Sequence, residues 1–508
     1  MLGAPMRWLL RVALALGLLV VAGFLACRLL PERLAVNAPI LNSLFGWGGE
    51  APPEEAVGSR IRVAEGYAVS RYALVPKARF LRPTPAGDLL VSVPREGTIV
   101  RLARDADQDG RPDAQETLLA GLDRPHGIDL HDGFLYVGEG SAVARVRFDV
   151  ATGKVSGELE RIVTGLPSGG NHWTRTVRVG PDGFLYVSVG SSCNVCLEED
   201  ERRAALLRFR IDGSAGEVYA RGLRNAVGFD WRPATGELYA TDNGRDLLGD
   251  DFPPCELNRV VEGGDYGWPV ANGDRQLDPD LGPGNEARAA AALPPAHGFA
   301  AHNAPLGIVF LRSEANRERL PDSALVALHG SWNRTRKDGY KVVALRFAPD
   351  GTIREEDFLV GFLENEDVAG RPVDVAEGPD GTLFVSDDYG GVVYRVKRSD
   401  GARGGAAPAP AAEAAARPDP LAALAPGERT ERAARGEAHW GALGCAGCHV
   451  AEQAGPGVVS VPLQELASRH DLTGLTAFLA APTPPMPAVA LAENERGDLA
   501  VYLLERFR

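Results

Sequence analysis

The chain has 508 residues, of which 45% are hydrophobic and 24% are charged, and its formal net charge is −14 at pH 7. This length exceeds what one small hydrophobic core supports, so we expect more than one domain. The negative charge argues against nucleic-acid binding and against general adhesion to anionic membrane surfaces.

The first 50 residues predict a signal or membrane anchor with its connector. Arg7 and Arg11 precede an uninterrupted run of apolar residues and glycine at 12–26, which ends before Cys27. The run is short for a membrane span and long for the core of a signal peptide. Because no small-x-small cleavage site follows, we favour an uncleaved anchor, with lipoprotein processing at Cys27 as the alternative. Both alternatives predict a periplasmic protein, and an uncleaved anchor predicts that it is attached to the inner membrane.

One pattern recurs six times between residues 51 and 400. Each copy has a turn with Gly or Asp and then alternating apolar residues, and a long insertion separates the fourth copy from the fifth. Such a hairpin cannot bury both of its faces alone, whereas radial closure of the sheets buries them. The segment 51–400 is therefore predicted to be an all-β six-bladed propeller, with a β-sandwich or two separate sheet domains as the alternative. The copies begin at Pro85, His131, Pro181, Ala234, Pro321 and Pro379.

An acidic loop follows the first copy. Residues 105–116 place acidic side chains at the loop positions that bind calcium, and Gly110 stands where such loops turn sharply. The flanking sequence reads as strands, which excludes a paired-helix calcium sensor. We predict a structural calcium ion, with a solvated acidic turn as the alternative. The predicted ligand residues are Asp105, Asp107, Asp109, Arg111 and Glu116.

The end of the chain predicts a haem domain. Residues 401–427 are rich in Ala, Pro and Gly and predict a linker, and 428–508 predict a small all-α cytochrome c domain of class I. Two thiols three positions apart, Cys445 and Cys448, can each add to a haem vinyl group, and His449 can bind the iron. Met486 is the predicted sixth ligand, which favours electron transfer. The alternatives are a disulfide beside an unrelated histidine and half of a zinc site, which would lack its second ligand pair.

Four segments of the propeller region resemble the quinoprotein glucose and sorbosone dehydrogenases, also called aldose sugar dehydrogenases. The resemblance covers roughly residues 61–397 and implies a six-bladed propeller that binds pyrroloquinoline quinone (PQQ). The segments are 165–175, 222–225, 241–245 with the following 256–269, and 329–334 with 371–374.

The resemblance also implies roles for individual residues. His172 matches the catalytic base, which takes the proton of a sugar hydroxyl as hydride leaves for the quinone. Arg224 and Asn225 match a pair that grips the quinone oxygens. The backbone carbonyls of Gly244 and Arg245 match ligands of the calcium that bridges to PQQ. Further predicted PQQ contacts are Asn243, His329, Arg334 and Arg371. A loop-capping role for the histidine and surface ion pairs for the arginines are the alternatives.

A Cys-x-x-Cys pair, Cys193 and Cys196, is typical of the sorbosone branch of this family. We expect a local disulfide in an oxidising compartment, although such a pair can also be redox-active or bind metal. Cys255 is then expected to be a free, buried thiol.

These features predict a periplasmic quinoprotein dehydrogenase that uses PQQ, haem c and Ca²⁺. It would oxidise an aldose or sugar aldehyde and pass electrons through the haem to a respiratory acceptor. One alternative is a calcium-dependent lactone or sugar-ester hydrolase propeller fused to a cytochrome. Another is a non-enzymatic propeller that docks a redox partner.

Overall fold

The computed structural model describes residues 49–399, 419–450, 453, 463, 466–480, 482, 486 and 490–507. These residues fall into two compact units, one within Met1–Arg275 and Gly284–Pro408 and the other within Gln276–Pro283 and Ala409–Arg508. The predicted anchor and most of the predicted linker lie outside the described residues. Among the residues described, no helix has the length and apolar character needed to cross a membrane.

The first unit is a ring of six antiparallel sheets. A 3-10 helix (Glu54–Ala56) and strand β1 (Arg62–Val63) come before β2 (Tyr67–Leu74). In the first three blades the strands follow in chain order from the axis outward. They are β3 (Leu81–Pro83), β4 (Leu89–Val93), β5 (Thr98–Leu102) and β6 (Gln115–Leu119); β7 (Ile128–His131), β8 (Phe134–Gly138), β9 (Ala142–Asp149) and β10 (Lys154–Thr164); and β11 (Val177–Val179), β12 (Leu185–Val189), β13 (Ala205–Phe209) and β14 (Glu217–Arg221).

The last three blades include the insertion that the sequence indicated. The fourth blade has β15 (Phe229–Trp231), β16 (Leu238–Asp242), β17 (Cys255–Val260) and β21 (His297–Phe299). The insertion between β17 and β21 contains β18 (Gly264–Asp265), β19 (Ala271–Asn272), β20 (Gln276–Leu277) and helix α1 (Glu286–Ala291). The fifth has β22 (Pro305–Phe310), helix α2 (Glu314–Arg319), β23 (Ser323–Leu328), β24 (Lys341–Phe347) and β25 (Ile353–Val360). The short strands β26 (Leu363–Glu364) and β27 (Asp367–Val368) precede β28 (Pro372–Glu377), β29 (Leu383–Asp387) and β30 (Val392–Arg398) of the sixth blade.

Strand β2 closes the ring, because it pairs with β30 as the outermost strand of the sixth blade. The innermost strands contact one another around the axis: β3 lies against β7 and β28, β7 against β11, and β22 against β15 and β28. The prediction of a six-bladed propeller is therefore confirmed, and the sandwich alternative is wrong.

Strand β12 shows why the repeats need radial closure. Leu185 and Val187 pack into a core shared with Tyr136 of the second blade, while Tyr186 packs into a core shared with Phe229 of the fourth. Both faces of the blade are thus buried by its neighbours. Each fully buried aliphatic side chain contributes about 1.5–3 kcal/mol of transfer free energy, so the ring is stabilised at every blade interface.

The second unit is helical. Its helices are α3 (Pro426–Ala442), α4 (Ala446–His449), α5 (Leu466–Arg469), α6 (Leu472–Ala480) and α7 (Glu493–Arg506). Helix α3 crosses α7 at Gly436, where a Cβ atom would lie only 2.2 Å from the backbone oxygen of Asp498. The carboxylate of Asp498 accepts hydrogen bonds from Arg432 at 2.8 Å and from Arg435 at 2.6 Å. Close backbone approach and these ion pairs fix the crossing of the two helices.

Candidate functional site

The repeat register explains which residues meet at one end of the propeller axis. Asn243, His329 and Asp388 each lie five residues after the start of the equivalent apolar segment, just past the second strand of a blade. The second strand is antiparallel to the innermost one, so its end lies beside the start of the innermost strand. His172 and Arg224 immediately precede innermost strands β11 and β15. Register therefore gathers these residues, Asp388 among them, at a common end.

His172 is held in a defined orientation. Its Nδ1 lies 3.0 Å from the backbone oxygen and 2.9 Å from the Oγ of Ser191. Because a carbonyl oxygen only accepts, we assign the proton to Nδ1, which leaves the lone pair on Nε2. Burial, with the nearby charge of Arg224, lowers the pKa of His172 to about 3. The imidazole is therefore neutral at ambient pH, the form that a general base requires.

Gly190 lets His172 and Asn225 converge. A Cβ atom at position 190 would lie 2.5 Å from the Cβ of His172 and 2.8 Å from the Oδ1 of Asn225. Neither approach is compatible with any side chain larger than hydrogen. The close packing brings the predicted base beside the predicted quinone-binding pair.

Arg224 uses all five of its N–H groups within the protein. Its Nε donates to the backbone oxygen of Asn194 at 2.9 Å, and Nη1 donates to the backbone oxygens of Asn243 at 3.1 Å and Gly244 at 2.9 Å. Its Nη2 donates to Asn194 Oδ1 at 2.8 Å and to Asp246 Oδ2 at 3.2 Å. A quinone oxygen would therefore have to replace one of these acceptors.

The predicted disulfide is confirmed and lies next to this cluster. Cys193 and Cys196 are bonded, and Asn194 between them is one of the partners of Arg224. Cys255 forms no disulfide within the described part of the chain and is buried, as predicted. The bonded pair thus fixes the loop that orients the Arg224 guanidinium.

A second cluster surrounds Asp388, which the sequence did not single out. Its Oδ1 lies 2.9 Å from His329 Nε2, its Oδ2 accepts from Arg79 at 2.6 Å, and its backbone oxygen accepts from Lys77 at 3.4 Å. The neighbouring cationic groups hold the pKa of Asp388 well below its usual range. Arg371 donates to the backbone oxygen of His329 at 3.1 Å. Burial, with the charge of Arg371, lowers the pKa of His329 to about 4.

Trp173 joins the two clusters. The Arg79 guanidinium lies 5.7 Å from the centroid of the Trp173 ring, and Trp173 follows His172 in the chain. The structure therefore brings His172, Arg224, Asn225, Asn243, His329 and Arg371 to the same end of the propeller.

Arg334 contacts the loop that follows β16. Its Nη1 donates to the backbone oxygens of Asp250 at 2.6 Å and Ala301 at 3.3 Å, so its guanidinium secures the loop after β16. Arg245, predicted to offer a backbone carbonyl, has a side chain buried within the same loop region. The structure thus gives Arg334 a loop-fixing role.

Two buried carboxyl groups lie beneath Arg224. Asp242 accepts hydrogen bonds from the backbone N–H groups of Arg224 at 2.8 Å and Asn225 at 2.5 Å. Its cross-strand partner is Glu256. Burial raises the pKa of both carboxyl groups, and repulsion from Glu256 raises that of Asp242 further.

We expect Glu256→Gln to stabilise the propeller at alkaline pH. A carboxyl group whose pKa is raised by folding favours the folded state when protonated, and this contribution is lost as the pH rises through the folded-state value. Glutamine can keep the hydrogen bond from Gly273 N–H, while a flipped Asn258 amide accepts its new N–H. The gain in unfolding free energy should be about 1–3 kcal/mol at pH 9 and near zero at pH 4, below the unfolded-state pKa. Denaturant titrations at both pH values measure it, with exposed Glu96→Gln as control; an equal gain at both would contradict the assignment.

The acidic loop brings three of its predicted ligands together. One carboxylate oxygen from each of Asp105, Asp107 and Asp109 lies within 4.8 Å of the others. Asp105 also accepts from Arg395 at 2.6 Å. Glu116 lies on β6, where it accepts from Arg101 at 2.5 Å, so the structure does not bring it to the trio. The side chain of Arg111, another predicted ligand residue, donates to Glu54 at 3.0 Å.

Calcium is expected to stabilise the PQQ-free protein through this loop. At a free concentration about 100 times the dissociation constant, binding contributes about 2.7 kcal/mol. Asp107→Asn should remove most of this gain because one of the three carboxylates is lost. Thermal unfolding with Ca²⁺ and with chelator measures the effect, and exposed Asp132→Asn is the control. A calcium response that survives in Asp107→Asn would place the stabilising ion elsewhere.

In the helical unit, the predicted haem ligands lie around one apolar core. Cys445 and Cys448 are free thiols, and the His449 ring centroid lies 5.9 Å from that of Trp440. Trp440 and Met486 both pack against the core formed by α6 and α7. The arrangement gathers an imidazole and a thioether near one apolar surface, and both are suitable iron ligands.

Comparison with known proteins identifies the family of the propeller. The family model described as TrAA12-like matches residues 61–253 and 278–399, which together make up more than half of the chain. The chain belongs to the TrAA12-like family. An uncharacterized protein of Borreliella burgdorferi is 32% identical to this TrAA12-like chain over 295 residues, covering 55% of the chain and 77% of that protein.

One relative of the TrAA12-like chain has a described activity, and one of its domains has a solved structure. A pyrroloquinoline quinone-dependent pyranose dehydrogenase of Coprinopsis cinerea is 26% identical over 356 residues, covering 54% of this chain and 46% of that enzyme. The chain therefore matches less than half of the length of that enzyme. The solved PQQ domain of the Coprinopsis cinerea pyranose dehydrogenase, in its holo form, has a TM-score of 0.57 at 24% identity, covering 66% of this chain and 97% of that domain.

A third comparison concerns the fold. A structure from Trichoderma reesei, in carbohydrate-active enzyme family AA12, has a TM-score of 0.58 at 22% identity, covering 67% of this chain and 98% of that one. Both structural matches cover nearly all of the solved chain, so the TrAA12-like chain contains a complete propeller of this fold.

Proposed function

We propose that the protein is a periplasmic quinoprotein dehydrogenase that oxidises an aldose or sugar aldehyde with PQQ. The observation that carries the proposal is the oriented His172, which Ser191 holds through Nδ1 and which packs with Asn225 around Gly190, within reach of the charge of Arg224. The named relatives include a PQQ-dependent pyranose dehydrogenase, which supports an oxidoreductase acting on sugar CH–OH groups.

The residues present fit PQQ as a cofactor. A quinone that bears carboxylates needs cationic donors, and Arg79, Lys77, Arg371 and Arg224 lie at this end of the propeller. Asn243 Oδ1 is buried and has no hydrogen-bond partner among the described residues, so it can accept from a cofactor N–H. When bound, PQQ supplies the two-electron acceptor for the hydride of the substrate.

His172 would accept the hydroxyl proton at Nε2. Ser191 holds the Nδ1 proton and so keeps the base in one tautomer. The imidazolium formed after proton transfer would be stabilised by the carboxylate of Asp246, whose charge favours protonation of His172. Arg224 would contact the quinone after exchanging one of its present acceptors.

Calcium and haem complete the proposal. The backbone carbonyls of Gly244 and Arg245 are the proposed calcium ligands beside PQQ, with Gly244 already accepting from Arg224. Cys445 and Cys448 would attach haem c, with His449 and Met486 as iron ligands. The linker at 401–427 would raise the local concentration of the haem at the propeller. The segment 1–50 would anchor the protein to the inner membrane.

The structure gives less support to the hydrolase alternative than to the dehydrogenase. Side-chain carboxylates in the channel would have to hold a catalytic metal, and the candidates were Asp242, Asp250 and Asp251. The oxygens of Asp242 accept from backbone N–H groups, and those of Asp250 accept from Thr335. Within the described ranges these three do not form a metal-ligand cluster.

Dye-linked oxidation of a panel of aldoses tests the proposal. The purified full-length protein is assayed with and without added PQQ and Ca²⁺. We expect turnover of at least one sugar only when both are supplied. Turnover of a sugar lactone without PQQ would support the hydrolase, and no turnover of any sugar with PQQ would support the docking propeller.

A further inference from the structure

A second cavity lies at the opposite end of the propeller axis. Its volume is about 460 Å³, and the residues that line it lie on or near the ends of innermost strands. Strand β28 runs from Pro372, next to Arg371 of the PQQ end, to Glu377 in this cavity. The lining begins at Asp374 on this strand, three residues or roughly 10 Å from Arg371 at about 3.3 Å per residue, and it includes none of His172, Arg224 and His329. The cavity is therefore distinct from the site around His172.

Three arginines and two aspartates form a charged belt around this cavity. Arg82 lies 2.6 Å from Asp129, while Arg178 and Arg312 lie 3.2 Å and 2.9 Å from Asp230. The five residues come from the first five blades in turn, so cation and anion alternate around the axis. Closure of the propeller creates this arrangement.

The carboxylates of the belt already have several donors. Asp129 accepts from the backbone N–H groups of Leu130 at 2.8 Å and Val179 at 2.7 Å, besides Arg82. Asp230 accepts from the N–H of Phe310 at 2.8 Å and from two nitrogens of Arg312 at 2.9 Å each, besides Arg178. Neither carboxylate needs a further donor.

Two other acids at the cavity are similarly engaged. Glu377 accepts from the N–H of Arg312 at 2.5 Å and from Ser313 Oγ at 2.6 Å. Asp374 accepts from Leu81 N–H at 2.8 Å, and burial raises its pKa to about 7, so its negative charge is partly suppressed near neutrality. The acids of the cavity are therefore poor sites for a cation.

The arginines, in contrast, retain donors. Arg82 and Arg312 line the cavity, and their side chains are 29% and 46% exposed, so part of each guanidinium is accessible to a ligand. A guanidinium carries five N–H donors and stays charged at any ordinary pH. The accessible guanidinium groups can therefore donate to an anionic ligand in the cavity.

We propose that this cavity binds a small organic carboxylate. Its carboxylate would accept hydrogen bonds from Arg82 and Arg312, and its carbon skeleton would lie against Phe229, Val309 and Ala376. A water molecule occupies about 30 Å³ in the liquid, so the cavity has room for much more than an inorganic oxyanion. The Arg312 side chain is 46% exposed, which leaves a route from solvent.

Calorimetric titration of the full-length protein tests the proposal. Citrate and gluconate are the probes, and inorganic phosphate and neutral glucose are the comparators. We expect saturable binding of at least one carboxylate, weakened about tenfold or more in Arg82→Gln and unchanged in the exposed control Arg354→Gln. Absence of carboxylate binding, or equal binding by phosphate, would overturn the proposal.

Arg82 also forms an ion pair with Asp129, so Arg82→Gln could lose binding because it folds poorly. A conservative variant separates the two causes. Arg82→Lys keeps the charge and loses the planar fork, so carboxylate binding should be intermediate between wild type and Arg82→Gln. Thermal unfolding reports whether each variant is folded. Equal carboxylate affinity in folded Arg82→Lys, Arg82→Gln and wild type would refute the proposed role of Arg82. None of these measurements depends on PQQ turnover, so they test the carboxylate site independently of the proposed dehydrogenase function.

Discussion

Replacing His172 by glutamine is expected to lower kcat/KM for PQQ-dependent sugar oxidation by about 10²–10⁴-fold. The variant loses the Nε2 lone pair that would accept the hydroxyl proton. Its amide can still donate to the backbone oxygen of Ser191, so the loop should keep its shape. Dye-linked steady-state kinetics measure the loss, and PQQ titration followed by absorbance shows whether the cofactor still binds.

The matched control for this variant is His131→Gln, at the other end of an innermost strand. Its activity should equal that of wild type. Because the pKa of His172 is lowered to about 3, protonation of this group should not reduce kcat/KM of wild type between pH 5 and 8. Full activity of His172→Gln with bound PQQ would remove His172 from the catalytic role.

Replacing Cys445 and Cys448 together by serine is expected to abolish covalent haem attachment. Each thioether requires a cysteine sulfur, so the double variant should show no haem stain on a denaturing gel. The propeller unit has its own core, so dye-linked sugar oxidation with added PQQ should persist. Transfer of electrons from sugar to haem should vanish with the haem.

Cys255→Ala is the matched control, because this buried thiol lies in the propeller, outside the motif. It should retain its haem stain. Met486→Ala should keep covalent haem but lower the iron reduction potential, since a thioether ligand raises it. Haem staining that persists in the double cysteine variant would contradict the assignment of the motif.

Short-range patterns carried most of the fold prediction. The six turn-and-strand copies each became the first hairpin of a blade because alternation along the strand sets which residues face each neighbouring blade. The disulfide was predictable for a similar reason, since Cys193 and Cys196 are only three positions apart. His172 and Arg224 were found through the family resemblance, and their positions before β11 and β15 agree with a shared site.

Contacts between segments far apart in the chain could not be predicted from these short-range patterns. Asp388 and Arg79 are 309 positions apart, and they meet only because the sixth blade closes against the first. The repeat register could have pointed to Asp388, which occupies the same place in its blade as Asn243 and His329. No comparable sequence signal marks Arg79.

One predicted calcium ligand shows how secondary structure overrides a spacing template. Glu116 has the right position in a calcium loop, but β6 begins at Gln115 and pairs Glu116 with Arg101 across the strand. The contact of Arg334 with the backbone oxygen of Asp250, in the loop after β16, is another feature that no spacing template predicts. Loop conformation depends on the long insertion around it, which carries no periodic pattern.

The most direct test of electron transfer from the His172 site to the His449 haem is anaerobic spectroscopy of the full-length protein. An aldose is added to protein with oxidised haem, PQQ and Ca²⁺, and the absorbance of reduced haem is followed. We expect reduction in wild type and none in His172→Gln with the same haem content. Haem reduction without PQQ, or at an equal rate in His172→Gln, would contradict the central claim.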